Sequence, residues 1–200
     1  MSKKGIGVYW GRFNPPHEGH LRVIRRFVSD WELIVAIGSA ERHDTRTDPF
    51  SGLERKRMME AFLRERGVEG VRVVTLPDGP SESWALDQLL RRYRPHVLFL
   101  STEKSSLAGL AEPRVRVLRF RRTGSISSTR IRGAIARGDP SWRALTGASV
   151  ARLIAEWDGI RRIQHAYGRA RATPGRRRAA GVPRTLRRDV AGAESGPGRI

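Results

Sequence analysis

The chain has 200 residues, 39 Lys and Arg against 20 Asp and Glu, a formal charge of +19, and no cysteine. The missing cysteines exclude a disulfide scaffold, thiol catalysis and cysteine-held zinc or iron–sulfur centres. No apolar run approaches the ~20 residues that span a bilayer, and the opening Met-Ser-Lys-Lys shows no signal-peptide cleavage pattern, so a cytoplasmic protein without membrane contact is expected.

In chain order, the short apolar run Ile6–Trp10 predicts a strand, and Gly11–Gly19 follows as a loop rich in Gly and Pro. From His20 the spacing turns helical, with Leu21, Ile24, Phe27 and Val28 on one face. Leu33–Ile37 is continuously apolar, as in a strand covered on both faces. A polar stretch over 39–50 ends in Asp48-Pro49-Phe50, and Ser51 with Glu54 has capping-box spacing before a stripe of Met58, Met59, Phe62 and Leu63. Val71–Leu76 reads as a strand, 77–80 as a break, and Trp84, Leu86, Leu89, Leu90 and Tyr93 as a helix. Val97–Leu100 and Val115–Phe120 are two further strands; Ser127–Ala136 and Ser149–Glu156 read as helices. Five strands alternating with helices predict an α/β, Rossmann-like, doubly wound and mostly parallel five-stranded sheet with helices on both faces. Such sheets bind ligands beyond the C-terminal strand ends, which directs attention to the loop at 11–19.

Residues 169–200 differ in composition. They hold nine arginines against Asp189 and Glu194, and no aromatic residue. Too little apolar area is available there to offset chain entropy, so the expected organisation is a domain over 1–168 and a disordered tail over 169–200. Arg176, Arg177 and Arg178 leave nucleic-acid contact open, against the plainer reading of a solvated tail.

Two motifs carry chemistry. No G-x-x-x-x-G-K-[ST] loop is present, and Gly5, Gly7 and Gly11 have the wrong spacing for a dinucleotide fingerprint. In Gly11-Arg12-Phe13-Asn14-Pro15-Pro16-His17-Glu18-Gly19-His20, Gly11 permits a close turn and the prolines stiffen the loop without using donors. His17 and His20, three apart at a helix start, can face one side where helix amides already favour an anion. The residues alone leave three readings: a polyphosphate site, a two-histidine metal site lacking the usual third ligand, or no role. The second motif is Ile126-Ser127-Ser128-Thr129-Arg130-Ile131-Arg132. Its hydroxyls can be plain caps. Arg130 and Arg132 in a first turn are unfavourable unless an anion is bound there, which makes a second phosphate grip the alternative.

Together these motifs resemble the H-x-G-H and S-x-T-x-x-R signatures of the nucleotidyltransferase (cytidylyltransferase-like) superfamily. Gly38-Ser39-Ala40, Asp48-Pro49-Phe50, Glu54-Arg55, Leu76-Pro77-Asp78, Trp84, Gly138-Asp139-Pro140-Ser141-Trp142, Ser149-Val150 and Gly159-Ile160-Arg161-Arg162-Ile163 follow in the order seen in archaeal-type nicotinamide-mononucleotide (NMN) adenylyltransferases. The likeness covers about residues 5–165. It implies adenylyl transfer from ATP to NMN, giving NAD and pyrophosphate, with Mg²⁺ carried by ATP rather than held in a protein cage. It implies Arg12, His17, His20 and Arg132 as phosphate ligands and catalytic residues. Gly11, Phe13, Asn14, Ser127, Ser128 and Thr129 would line the ATP pocket, and Asp78 and Trp84 would hold NMN, Trp84 by stacking. A homo-oligomer is compatible with the resemblance.

The sequence departs from that pattern at Asn14, where the family has Gln, and at Thr102-Glu103, where it has Gly-Asn. The interval from Asp78 to Trp84 is one residue short and lacks the family's Asn. Arg122-Thr123-Gly124-Ser125-Ile126-Ser127 is also similar to a segment of cytidylyltransferases and archaeal FAD synthases. Transfer to another phosphorylated acceptor, such as FMN or a polyol phosphate, therefore stays open, as does a binding module for nucleotides or nucleic acid.

Overall fold

The structure is a computed structural model and describes residues 2–121 and 124–172. Five strands form one sheet: β1 (Ile6–Gly11), β2 (Glu32–Ile37), β3 (Val71–Thr75), β4 (Val97–Ser101) and β5 (Arg116–Phe120), in the order β3-β2-β1-β4-β5. Every pairing is parallel. β1 is central, and its Tyr9 lies in register with Val35 on one side and Phe99 on the other. Strand order reverses between β1 and β4, so the loops leaving these strands open a crevice at the C-terminal edge.

Alternate residues of β1 explain the two layers. Tyr9 points into a cluster with Phe13 of the following loop and with Leu21, Ile24, Met58, Phe62 and Ile131, drawn from α1 (Glu18–Phe27), α2 (Gly52–Glu65) and α5 (Ser128–Ala136). Val8 and Trp10 point the other way, onto Leu86, Leu89 and Leu107 of α3 (Glu82–Tyr93) and α4 (Ser105–Ala111). β4 is buried along its whole length, as its unbroken apolar run requires. The predicted capping box at the start of α2 is present: Ser51 Oγ accepts from Glu54 N and Glu54 Oε2 from Ser51 N.

The strands fall where the sequence puts them, and three helices do not. α4, the short α6 (Trp142–Thr146) and α8 (Gly159–Ala172) were not anticipated; α7 (Ala148–Glu156) was. α1 begins at Glu18, two residues before the periodicity shows it. α8 buries Ile163 and rests Ile160 and Tyr167 on the core, so ordered helix crosses the expected domain boundary at 168. The rest of the expected tail, from 173 onward, lies outside the described residues. No helix among the described residues is long and apolar enough to cross a membrane.

Candidate active site

The loop leaving β1 folds back on itself. Phe13 takes a left-handed φ of 50° and turns its ring onto Gly11, where an added Cβ would stand 2.7 Å from it. The Phe13 ring then meets Tyr9 and His20 edge-on, at 5.1 and 4.8 Å between centroids. Phe13 is thus a buried wall behind the site.

The two histidines do local structural work first. His17 is the N-cap of α1, and its Nδ1 accepts from Gly19 N at 3.1 Å. His20 Nδ1 accepts in turn from His17 N at 3.2 Å. A capping box normally made by a hydroxyl and a carboxylate is here made by two imidazoles. With both Nδ1 atoms accepting, the bonds assign the Nε2–H tautomer to each ring. The rings stack at 3.7 Å. His20 lines the crevice, whereas His17, 4% exposed, lies behind it.

That crevice is a cavity of about 340 Å³ between the ends of β1 and β4 and the start of α5. Gly11, Arg12, Phe13, Asn14, His20, Ser127, Ser128, Thr129 and Arg132 all line it. At the start of α5, Ser127 Oγ caps Arg130 N, and Ser128 Oγ donates to Pro15 O at 3.0 Å, which ties the helix to the β1 loop. Arg132 donates to Asn14 O at 2.7 Å and Arg46 O at 3.0 Å, and its remaining amino group points to Thr129 Oγ1 at 3.4 Å. Burial lowers the Arg132 guanidinium below the ordinary arginine value, with Tyr167 acting in the opposite sense. Arg130 turns away, donating to Ser125 O, and is not part of this lining.

A second cavity of about 400 Å³ adjoins the first beyond the ends of β2 and β3. It is lined by Gly38, Ser39, Arg42, Asp78, Pro80 and Glu82 among others, and shares Trp10, Arg12 and Lys104 with the first. Asp78 faces it while its Oδ2 accepts from Glu41 N at 3.2 Å. Trp84 does not line it. The indole lies on the backbone of Gly79, so close that a Cβ there would stand 1.9 Å from the ring. Ser81 caps α3 through Trp84 N, fixing Trp84 in the first turn.

Several residues matter here that carried no assigned role in the sequence. Arg55, fully buried on α2, donates to Arg12 O and Gly38 O at 2.8 Å each, to Ser39 O, and through Nε to Ser51 O at 3.1 Å. It ties the ends of β1 and β2 together beneath both cavities. Burial pushes its guanidinium down to about 10, partly offset by Asp48, so it remains a cation at neutral pH. Asp48, 3% exposed, stands 3.7 Å from Arg12 Nη1 and accepts from Thr47 Oγ1. Arg162 of α8 clamps the preceding loop by donating to Asp44, Pro49 O and Glu54. The only hint of these roles was position: Asp48, Glu54-Arg55 and the 159–163 segment that holds Arg162 were landmarks of the resemblance. Among the described residues no group of three or more His, Asp or Glu could hold a metal.

The sequence model of the cytidylyltransferase-like family matches residues 8–134. A nicotinamide-nucleotide adenylyltransferase of Pyrobaculum arsenaticum is 37% identical over 166 residues, covering 80% of this chain and 93% of that protein. One of Thermococcus onnurineus is 34% identical, covering 82% and 88%. Among solved structures, a bifunctional NMN adenylyltransferase/ADP ribose pyrophosphatase of Francisella tularensis, complexed with AMP and a manganese ion, superposes with a TM-score of 0.68 at 20% identity. That match covers 86% of this chain but only 53% of the bifunctional protein. A nicotinic acid mononucleotide adenylyltransferase of Plasmodium falciparum complexed with NaAD superposes with a TM-score of 0.57 at 12% identity, covering 79% of this chain and 98% of that one. The structural likenesses carry the fold and the sequence likenesses the family: this chain belongs to the cytidylyltransferase-like family and, within it, to the nicotinamide-nucleotide adenylyltransferases.

Proposed function

We propose that the protein joins ATP and NMN into NAD and pyrophosphate. The observation that carries this reading is the pair of adjoining cavities with Arg12 and Lys104 in their shared wall. ATP occupies the first cavity and NMN the second, so the NMN phosphate meets the ATP α-phosphorus at the junction. A phosphate oxygen of NMN attacks in line, and the bond from the α-phosphorus to the β-phosphate oxygen breaks. The nucleophile is already an anion at neutral pH, so no general base is required. Catalysis rests on positioning and on stabilising charge that gathers on the transferred and leaving groups.

His20 donates from Nε2 to the phosphates, and His17 acts through it by fixing its ring. Arg12 supplies a cation at the junction. Arg132 holds the β1 loop against α5 and offers its remaining N–H groups to the nucleotide. Gly11, Phe13 and Asn14 shape one wall of the ATP pocket, and Ser127, Ser128 and Thr129 the other. Asp78 faces the acceptor; Trp84 supports the loop beside it. Among the described residues Glu103 is the one carboxylate lining the first cavity, so the donor set suits a polyphosphate better than a bare ion. Mg²⁺ would enter on the triphosphate oxygens, where it neutralises phosphate charge.

The test is pyrophosphate release from ATP or CTP with NMN, nicotinate mononucleotide, FMN or glycerol 3-phosphate. ATP with NMN should give the highest kcat/KM. Turnover only with another acceptor would overturn the NMN assignment.

A further inference from the structure

We propose that Lys104 is a further catalytic residue, its ammonium touching the α-phosphate during transfer, and that Trp10 is the positioning residue that holds it there. The proposal rests on the two-cavity reading above. Its first support is place. Lys104, Trp10 and Arg12 are the residues that line both cavities, so whatever passes from the donor to the acceptor does so beside them. Lys104 reaches that point because β4 pairs directly with β1, which sets the loop after Ser101 beside the loop after Gly11. Its backbone N donates to Ser101 O at 2.9 Å, which fixes the start of that loop.

The second support is what surrounds the ammonium. Nζ stands 5.7 Å from the centre of the Trp10 ring, within reach of the indole face. Trp10 is 6% exposed, and its Nε1 lies where a Cβ on residue 38 would come within 2.5 Å. Gly38 thus lets the indole lie across the gap, and a rigid aromatic floor aims a flexible side chain. Glu103 lines the first cavity on the same loop. Arg12, the other cation that lines both cavities, stands 3.7 Å from the buried Asp48 carboxylate. Lys104 occupies the N-cap position of α4 without a side-chain cap bond, so the helix start does not depend on its ammonium.

In the transfer step, the acceptor oxygen bonds to the α-phosphorus, and the electron pair of the broken bond leaves with pyrophosphate. Lys104 keeps its proton throughout and acts by charge alone. A cation held where negative charge concentrates lowers the barrier most in the transition state, which predicts an effect on kcat rather than on KM.

The experiment compares Lys104→Met, Lys104→Arg and Trp10→Leu with wild type, on whichever donor and acceptor the wild type uses best. This choice separates failure of the proposal from failure of the substrate assignment. Kinetics are read alongside the thermal midpoint and the Kd for an ATP analogue with a methylene bridge between the α- and β-phosphates. Lys104→Met should lower kcat ~10²-fold with KM values, analogue Kd and midpoint nearly unchanged, and Lys104→Arg should recover to within ~10-fold of wild type. Trp10→Leu should lower kcat ~10-fold by releasing the ammonium. A Lys104→Met enzyme with wild-type kcat overturns the proposal. So does a loss seen only in KM for the acceptor, or one that tracks a fall in midpoint.

Discussion

Replacing Arg55 by Met tests how far one buried side chain sets the geometry of both cavities. Methionine keeps an unbranched apolar stem and leaves little void, so the change isolates the polar contacts. Three carbonyls, of Arg12, Gly38 and Ser39, lose the guanidinium. Ser51 O keeps its bond from the Arg55 backbone N–H and is not orphaned. Gly38 O is buried, and leaving it unsatisfied costs about 1–3 kcal/mol; the bonds to Arg12 O and Ser39 O are part-buried but come from a charged donor, about 1.5–3 kcal/mol each, so the three together come to roughly 4–9 kcal/mol. Against this, the variant escapes the burial of a charge. The fall of the Arg55 guanidinium from the ordinary arginine value to about 10 corresponds to roughly 3 kcal/mol. The difference centres on about 3 kcal/mol, and at about 2–4 °C per kcal/mol for a chain of this size the midpoint should fall by roughly 9 °C. Circular dichroism melting at neutral pH measures it. Turnover of the folded variant should fall by up to ~10²-fold, because the β1 and β2 ends relax by fractions of an ångström under the reacting groups. A midpoint equal to or above wild type would refute the reasoning, since the carbonyls would then have found partners without Arg55.

His20→Ala should lower kcat by ~10²–10³-fold through loss of one phosphate donor, with a midpoint drop of only a few degrees from the broken capping box; near wild-type turnover would remove His20 from the chemistry. Glu54 gives a pH signature. Burial works to raise its carboxyl, but hydrogen bonds from Arg162 and from the Ser51 backbone outweigh it and hold the group below its ordinary 4.5. A depressed folded value means that stability is fully present above about pH 4.5 and is lost as pH falls through the folded value. Arg162→Ala should therefore flatten the acid limb of midpoint against pH below about 4.5, and an unchanged limb would show that the pair contributes nothing.

The sheet was legible because each central strand is a run of apolar residues covered on both faces, a pattern no surface helix shares. The helices that escaped lack such a signal. α4 is Ser105-Ser106-Leu107-Ala108-Gly109-Leu110-Ala111, too short and too small-residued for a periodicity. α8 carries four arginines between Gly159 and Ala172, and the apolar residues it sets against the core are Ile160, Ile163 and Tyr167; composition there resembles a tail. Within the site, the β1 loop and the start of α5 declared themselves through residue types that are rare together. Trp84 lies over the Gly79 backbone and does not line the second cavity, a placement set by how the loop before α3 packs, which linear spacing does not display. Lys104 could not be singled out from sequence at all, and Arg55 stood out only as a landmark of the resemblance with no role attached. One among so many cations is distinguished only by burial or by where the topology sets it, and both are properties of the folded chain.

The imidazole cap on α1 has a consequence for how this protein can change. Asp, Asn and Ser are the strongest N-cap residues, and His is not among them. At His17 an aspartate would anchor the first turn at least as well, while removing the ring on which His20 is stacked. At His20 a glutamate would complete an ordinary capping box and put a carboxylate where the proposed reading seats the triphosphate. Selection for a more robust helix and selection for turnover thus pull these two positions in opposite directions. A lineage that relaxed its need for the reaction would be expected to drift toward the better cap, and a screen for heat resistance that ignored activity would recover the same substitutions.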